Sequence, residues 1–267
     1  MAVPNSLATL WVGPRLGPIE LASARSFLRV GNPLVVYSYE PLPNLPEGVE
    51  GRDANEVLPA TRIAIYAREQ SPSLHSNFFR YALLRRTDHV WVDLDIIALQ
   101  RFAFDSDRIY AFETAERVNC AVLRLPKEAP ELAELAAFTA QTRGVAPHIT
   151  GLRRMKYWVR TLGRGVPIEK WPWGSTGPRA LTAALNRHGG LDAAMPVETF
   201  YPIHPTDCRR FLTPGALSEA SFSAATFGVH LSASNIHRAV AREFGGVIPE
   251  ASFLGQQIRR GEAEAGG

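Results

Sequence analysis

Cysteine is scarce in this chain. Its two cysteines, Cys120 and Cys208, stand 88 positions apart in 267 residues, with no CxxC pair and no histidine cluster beside either. That excludes a disulfide framework and a thiolate zinc site, and leaves idle thiols suited to a reducing compartment. Long apolar runs are missing too, since none approaches the roughly 20 residues of a bilayer span. Met1–Ser6 contains no basic stretch leading into an apolar one, so no secretory leader is expected and a cytoplasmic location is. Excess charge is slight: 29 Lys+Arg against 26 Asp+Glu leaves +3. Without a basic patch, that surplus gives no reason to expect a nucleic-acid partner. Nor is the chain short of apolar residues, with 46% hydrophobic and 21% charged, which excludes an intrinsically disordered protein. At this length roughly three quarters of the unfolded surface can be buried. One domain over residues 1–260 is expected, with a small, polar, disordered tail at 261–267.

What is present alternates between short apolar runs and helical spacing. Leu7–Val12 reads as a buried strand ending at Gly13-Pro14, and Glu20–Val30 as a helix. Leu34–Tyr39 is a second strand, and the proline-rich stretch 41–46 a loop. Ser76–Arg86 is helical, and Val90-Trp91-Val92 a strand leading straight into Asp93-Leu94-Asp95. Helices are also expected at Ala129–Thr142 and Arg179–Arg187. Continuous apolar strands separated by helices predict an α/β fold with a mostly parallel, helix-covered sheet.

The sharpest chemical feature is Asp93-Leu94-Asp95. Read as an extended strand, it sends both carboxylates to one side. Following an apolar strand, they fall at the carboxyl edge of the sheet, where open α/β folds bind ligands. Two adjacent carboxylates repel unless a cation lies between them, so a hard divalent ion bridging to a diphosphate is the natural partner. Asp105-Ser106-Asp107 has the same spacing without the strand and reads as a turn. Asn77 and Arg80, one helical turn apart, share a face close to the strand end. Arg80 there either meets an anionic ligand or pairs with Asp93. Trp11 ends the first strand and, taken alone, reads as core.

A resemblance joins these pieces. Ser76-Asn77-Phe78-Phe79-Arg80-Tyr81-Ala82-Leu83-Leu84, followed by Val90-Trp91-Val92-Asp93-Leu94-Asp95, resembles the SDxxRYxxL…GGxYxDxD signature of DXD-containing sugar transferases. These include the family 32 glycosyltransferases and the α-1,4-galactosyltransferases, with the clostridial glucosylating toxins as distant relatives. In order along the chain, Leu10-Trp11-Val12-Gly13 resembles their WIG strand and Val118–Val122 their NNA strand. Gly174–Pro178 resembles their TGP turn and Val229-His230-Leu231 their HLW segment, so the likeness spans residues 7–232. It implies a GT-A fold and a retaining transfer of hexose from a UDP-sugar to a saccharide or lipid-linked glycan. It also implies Mn²⁺ or Mg²⁺ on Asp93 and Asp95, with His230 near the metal. Trp11, with Val12 and Gly13, would hold the base. Asn77, Arg80 and Gly177 would meet the donor, and Asn119 would line the acceptor side. The chain departs from the pattern at Asn77, which replaces an aspartate, at Asp88-His89, which replaces GG, and at Ser232, which replaces a tryptophan.

Two other functions fit less of the chain. A haloacid-dehalogenase-like phosphatase also uses DxD after a strand, but on the first strand of its sheet. A silent nucleotide-sugar-binding protein would suit the Asn77 and Ser232 departures. Separately, residues 152–164 interleave Arg153, Arg154, Lys156, Arg160 and Arg164 with Leu152, Met155, Trp158, Val159 and Leu162. The ordinary reading is a surface helix whose apolar face packs on the sheet; the other is a helix lying on an anionic membrane.

Overall fold

The computed structural model describes residues 5–265. The leader reading at Met1–Pro4 and the end of the expected tail, Gly266 and Gly267, lie outside them. Strand β1 (Leu7–Trp11) pairs in parallel with β2 (Leu34–Ser38), and β2 with β3 (Glu50–Asp53). On its other side β1 pairs in parallel with β4 (Val90–Val92), which pairs antiparallel with β8 (Val122–Leu123). The sheet order is therefore β3-β2-β1-β4-β8. This is an α/β architecture around a mostly parallel sheet, compatible with a Rossmann-like arrangement.

The period of two along each strand divides the core. Ala8, Leu10, Val35, Tyr37 and Trp91 join one buried cluster, completed by Phe79, Tyr81, Leu83 and Leu84 of helix α2 (Ser73–Arg86). Leu7, Leu34, Val36, Val90 and Val92 join another, with Ala24 and Phe27 of helix α1 (Pro18–Arg29). Each face of the sheet is thus covered, which is why its strands read as unbroken apolar runs. α1 starts at Pro18, two residues before the expected Glu20, because proline suits the first helical turn. β3 is exposed throughout and carries Glu50, Arg52 and Asp53. Charges on an edge strand discourage further pairing, and they also hide the strand from a hydrophobicity reading.

Beyond β4 the chain turns at Asp93–Asp95 into β5 (Ile96–Ala98). Past it lies the hairpin β6 (Phe112–Thr114) and β7 (Arg117–Val118), and later helix α3 (Pro130–Ala136). The expected helix 129–142 stops early because the hydroxyl of Thr142 accepts from the Thr139 amide at 2.9 Å, closing a turn instead. Strands β9 (Arg143–Gly144) and β10 (Val166–Pro167) flank helix α4 (Gly151–Arg160), and α5 (Pro178–His188) follows. β11 (Gly228–His230) pairs antiparallel with β5. Helices α6 (Ala233–Glu243) and α7 (Phe253–Ala265) end the described chain. Residues 261–265 are therefore helical, not the disordered tail expected there. α7 lies along α1, Arg29 donating to Gln257 at 2.9 Å, and a Cβ on Gly261 would sit 2.9 Å from Arg25 Cδ. That docking orders a segment whose composition alone reads as loose.

Candidate metal centre

Strand order reverses between β1 and β4, and it is outside the carboxyl ends of the strands at such a point that open α/β sheets bind ligands. Asp93 and Asp95 stand at that point. They occupy a turn closed by the Ile96 amide on Asp93 O at 3.3 Å, and are not residues of an extended strand. The same-side placement expected from strand alternation thus has another cause, the reversal of the chain into β5. Antiparallel pairing sets His230 opposite Ile96, which delivers its imidazole to Asp95. One ligand atom each from Asp93, Asp95 and His230 lie within 4.8 Å of one another.

Each group is held. Oδ1 of Asp93 accepts from Arg80 Nη2 at 2.8 Å and from the Trp91 indole at 2.6 Å. Oδ2 of Asp95 accepts from the Ala233 amide at 2.8 Å and faces His230 Nε2 at 3.3 Å. Ser232 makes this possible with a left-handed backbone (φ 58°), which folds the start of α6 back onto the carboxylate. Such a conformation is uncommon for a side-chain-bearing residue and marks a site held by its surroundings. Among the described residues the second oxygen of each carboxylate meets no donor from another residue, leaving one oxygen on each side for a cation. Tyr201 meets the His230 ring edge-to-face at 5.6 Å and its hydroxyl accepts from the Val122 amide.

The charges follow. Burial pushes the Asp93 carboxyl up, and neighbouring Asp95 adds to this against the pull of Arg80. Burial opposes ionisation of Asp95 as well, but His230 and the Ala233 amide outweigh it and bring its carboxyl down. His230 is the mirror case. Burial disfavours its cation, while Asp95, Asp93 and Glu113 raise it to about 9. The raised imidazole thus faces the Asp95 carboxylate as a cation, while Arg80 is the cation on Asp93. Two carboxylates and one imidazole are a donor set that could hold a divalent metal ion.

Arg80 is 4% exposed. Beyond Asp93 it donates to Asn77 Oδ1 and, at 3.2 Å, to Cys120 Sγ, and its guanidinium lies 4.6 Å from the Trp91 ring centre. Of the two readings open for this arginine, pairing with Asp93 is present, and the helix that carries it, α2, is buried along both sides of its middle. Asn77 is likewise turned inward, donating to Thr176 Oγ1 at 2.9 Å. A Cβ on Gly177 would lie 3.2 Å from Asn77 and 3.5 Å from Cys120, so this glycine allows close packing behind the site. Asn119 donates to Glu113 at 2.8 Å and is buried. Arg117, which grips Glu113, borders a cavity of about 960 Å³ together with His148, Arg179, Thr182 and Asn186. None of the three metal-site residues lines that cavity.

Trp11, Val12 and Gly13 stand at the end of β1. Trp11 is half-buried, its indole donates to Arg15 O at 3.1 Å, and a Cβ on Gly13 would come 3.1 Å from it. It packs on the second cluster without being enclosed in it. No family model matches this chain, and no curated protein matches it.

Several contributors escaped the sequence reading. Trp91 had a signal, since two residues along a strand from Asp93 is the same side. Thr176 accepts from Asn77 and hydrogen-bonds the Tyr66 hydroxyl, and its carbonyl accepts from Tyr81. Tyr201 carried no signal, because only the packing of distant segments brings it to His230.

The buried thiols make a direct check. Burial lifts Cys120 to about 12 despite the nearby Arg80, and burial also raises Cys208. Since the thiolate is the reactive form, a disulfide-exchange reagent at neutral pH is expected to label neither cysteine in the native protein and both in denaturant. Rapid native labelling of Cys120 would mean that the packing behind Asp93 opens.

Proposed function

We propose that this chain is a metal-dependent, retaining glycosyltransferase of GT-A-like fold, moving a hexose from a UDP-sugar to a glycan acceptor. The observation that carries the reading is the Asp93–Asp95–His230 group at the sheet's crossover point, with one unclaimed oxygen on each carboxylate. The ordered likeness to the sugar transferases, from the Trp11 strand to the His230 segment, supports the same choice.

A divalent cation held by these three residues would supply Lewis-acid stabilisation of the departing diphosphate, where charge develops during transfer. The protein's part is to hold the ligands in place. Arg80 and Trp91 fix Asp93 from behind, and the start of α6 fixes Asp95. The β5–β11 pairing and Tyr201 orient His230. The half-buried Trp11, at the end of neighbouring β1, offers an aromatic face to a nucleobase.

A thermal-shift panel of nucleotide sugars with and without Mn²⁺ tests this reading, since a ligand that binds only the folded state stabilises it. UDP-sugars are expected to raise Tm, and chelation to abolish the rise. Donor hydrolysis assayed alongside separates an enzyme from a silent binder. Trp11→Ala is expected to weaken UDP binding by about 1–3 kcal/mol, the scale of base–aromatic stacking. Unchanged calorimetric affinity in a folded mutant would return Trp11 to a packing role.

A further inference from the structure

Among the described α-helices, α4 alone has no buried residue. The expectation that its apolar face packs on the sheet is overturned. Only one edge rests on the protein. There, Tyr157 and Trp158 lean on the cluster of Val145, Ala146, Ile149, Ile168 and Trp171. Leu152, Met155 and Val159, spaced three and four apart, form a stripe facing away, and Leu162 extends it past the helix end. Their exposures are 72%, 56%, 69% and 88%. Single exposed apolar residues are common on soluble proteins, but a continuous stripe marks a docking surface.

Charge indicates what docks. At 100° per residue, Arg153, Lys156 and Arg160 form a second row directly beside the apolar stripe. Arg154 lies on the far side of the helix and Arg164 beyond its end. Among the described residues none of these five meets a carboxylate. The single acid between Arg143 and Lys170 is Glu169, which pairs instead with Arg62 at 2.7 Å. No described helix is long and apolar enough to cross a membrane, so this surface works from outside a bilayer.

We propose that α4 docks this protein onto an anionic phospholipid surface. The Leu152–Met155–Val159–Leu162 stripe enters the headgroup–acyl boundary, and the adjacent basic row meets lipid phosphates. A second copy of the chain is the weaker partner. A two-fold interface through this stripe would bring two unpaired basic rows together with no acid between them. The inference rests on α4 alone and not on the metal centre.

Vesicle co-sedimentation decides it. The full chain is expected to pellet with phosphatidylcholine vesicles containing phosphatidylglycerol, and not with phosphatidylcholine alone. Binding should fall steeply as salt shortens the Debye length from about 10 Å toward about 3 Å. Replacing Arg153, Lys156 and Arg160 by Gln together should weaken it on the order of a hundredfold, each basic residue contributing about fivefold. Val159→Ser, which changes no charge, should weaken binding as Val159→Glu does, and a purely electrostatic contact would not show the first effect. Because all four positions are exposed, circular dichroism of the variants should match the parent. Equal binding to neutral vesicles, or no binding at low salt, would overturn the proposal. So would concentration-dependent dimerisation that Val159→Glu abolishes, which would assign the stripe to a second copy. UDP-sugar binding in the thermal-shift panel is unaffected by any of these outcomes.

Discussion

Asp95→Asn is expected to weaken Mn²⁺ binding by more than about a hundredfold and to reduce sugar transfer on the order of a thousandfold. The first figure exceeds the 10–100-fold that follows loss of a partner outside a metal's own ligand shell, since here a ligand itself is neutralised. The second corresponds to losing several kcal/mol of charge stabilisation on the leaving diphosphate. The fold should survive. The amide oxygen of asparagine can still accept from the Ala233 amide, so the start of α6 keeps its partner. Asp107→Asn is the matched control, an exposed acid of the same spacing in a turn that the sequence reading set aside. Calorimetry with Mn²⁺ and a donor-hydrolysis assay read both effects. Retained metal affinity in Asp95→Asn, with Asp107→Asn unchanged, would remove this carboxylate from the centre.

Arg80→Met is expected to be the most destabilising single change near the site, by about 3 kcal/mol. Removing one partner of a buried ion pair typically costs 3–5 kcal/mol, and the lower end applies because the Asp93 side chain is 31% exposed and partly screened. The methionine stem would preserve packing on Trp91, so the loss isolates the charge and its hydrogen bonds. For a chain of this size the fall in Tm should be roughly 6–12 °C. Arg80→Lys should recover little. An ammonium cannot span Asn77, Cys120 and Asp93 as the planar guanidinium does. Adding Asp93→Asn to Arg80→Met should cost less than the sum of the two, because the pair shares one interaction. An arginine that touched only the donor would behave otherwise: Arg80→Met would leave Tm unchanged and lower only donor affinity.

These two residues illustrate how far the sequence reading reached. Asp93 and Asp95 were legible because an apolar strand precedes them, and strand ends in α/β sheets open onto crevices. The reason given for their shared side was wrong in detail, since a turn and not an extended strand holds them. Arg80 and Asn77 were correctly grouped as one helical face. The direction of that face was not readable, because α2 is apolar on nearly every side and spacing cannot say which neighbour a buried polar pair meets. Asn119 fits the same pattern. The residue was singled out, but its amide turns inward to Glu113, a partner four residues before Arg117 on a hairpin that no periodicity announced.

The sequence by itself determined the alternating elements, the mostly parallel sheet, the two carboxylates at its edge and the scarcity of cysteine. Each is a local property, set by the period of apolar residues, by turn-forming dipeptides or by simple scarcity. Tertiary structure decided the rest. It brought His230 to Asp95 across 135 positions through the β5–β11 pairing and placed Arg80 behind Asp93. It ordered residues 261–265 against α1 and left the apolar stripe of α4 facing outward. Period and composition report that a residue will be buried or exposed on some face. They carry no information about which distant segment supplies the opposing surface, and for the outer stripe of α4 the described chain supplies none.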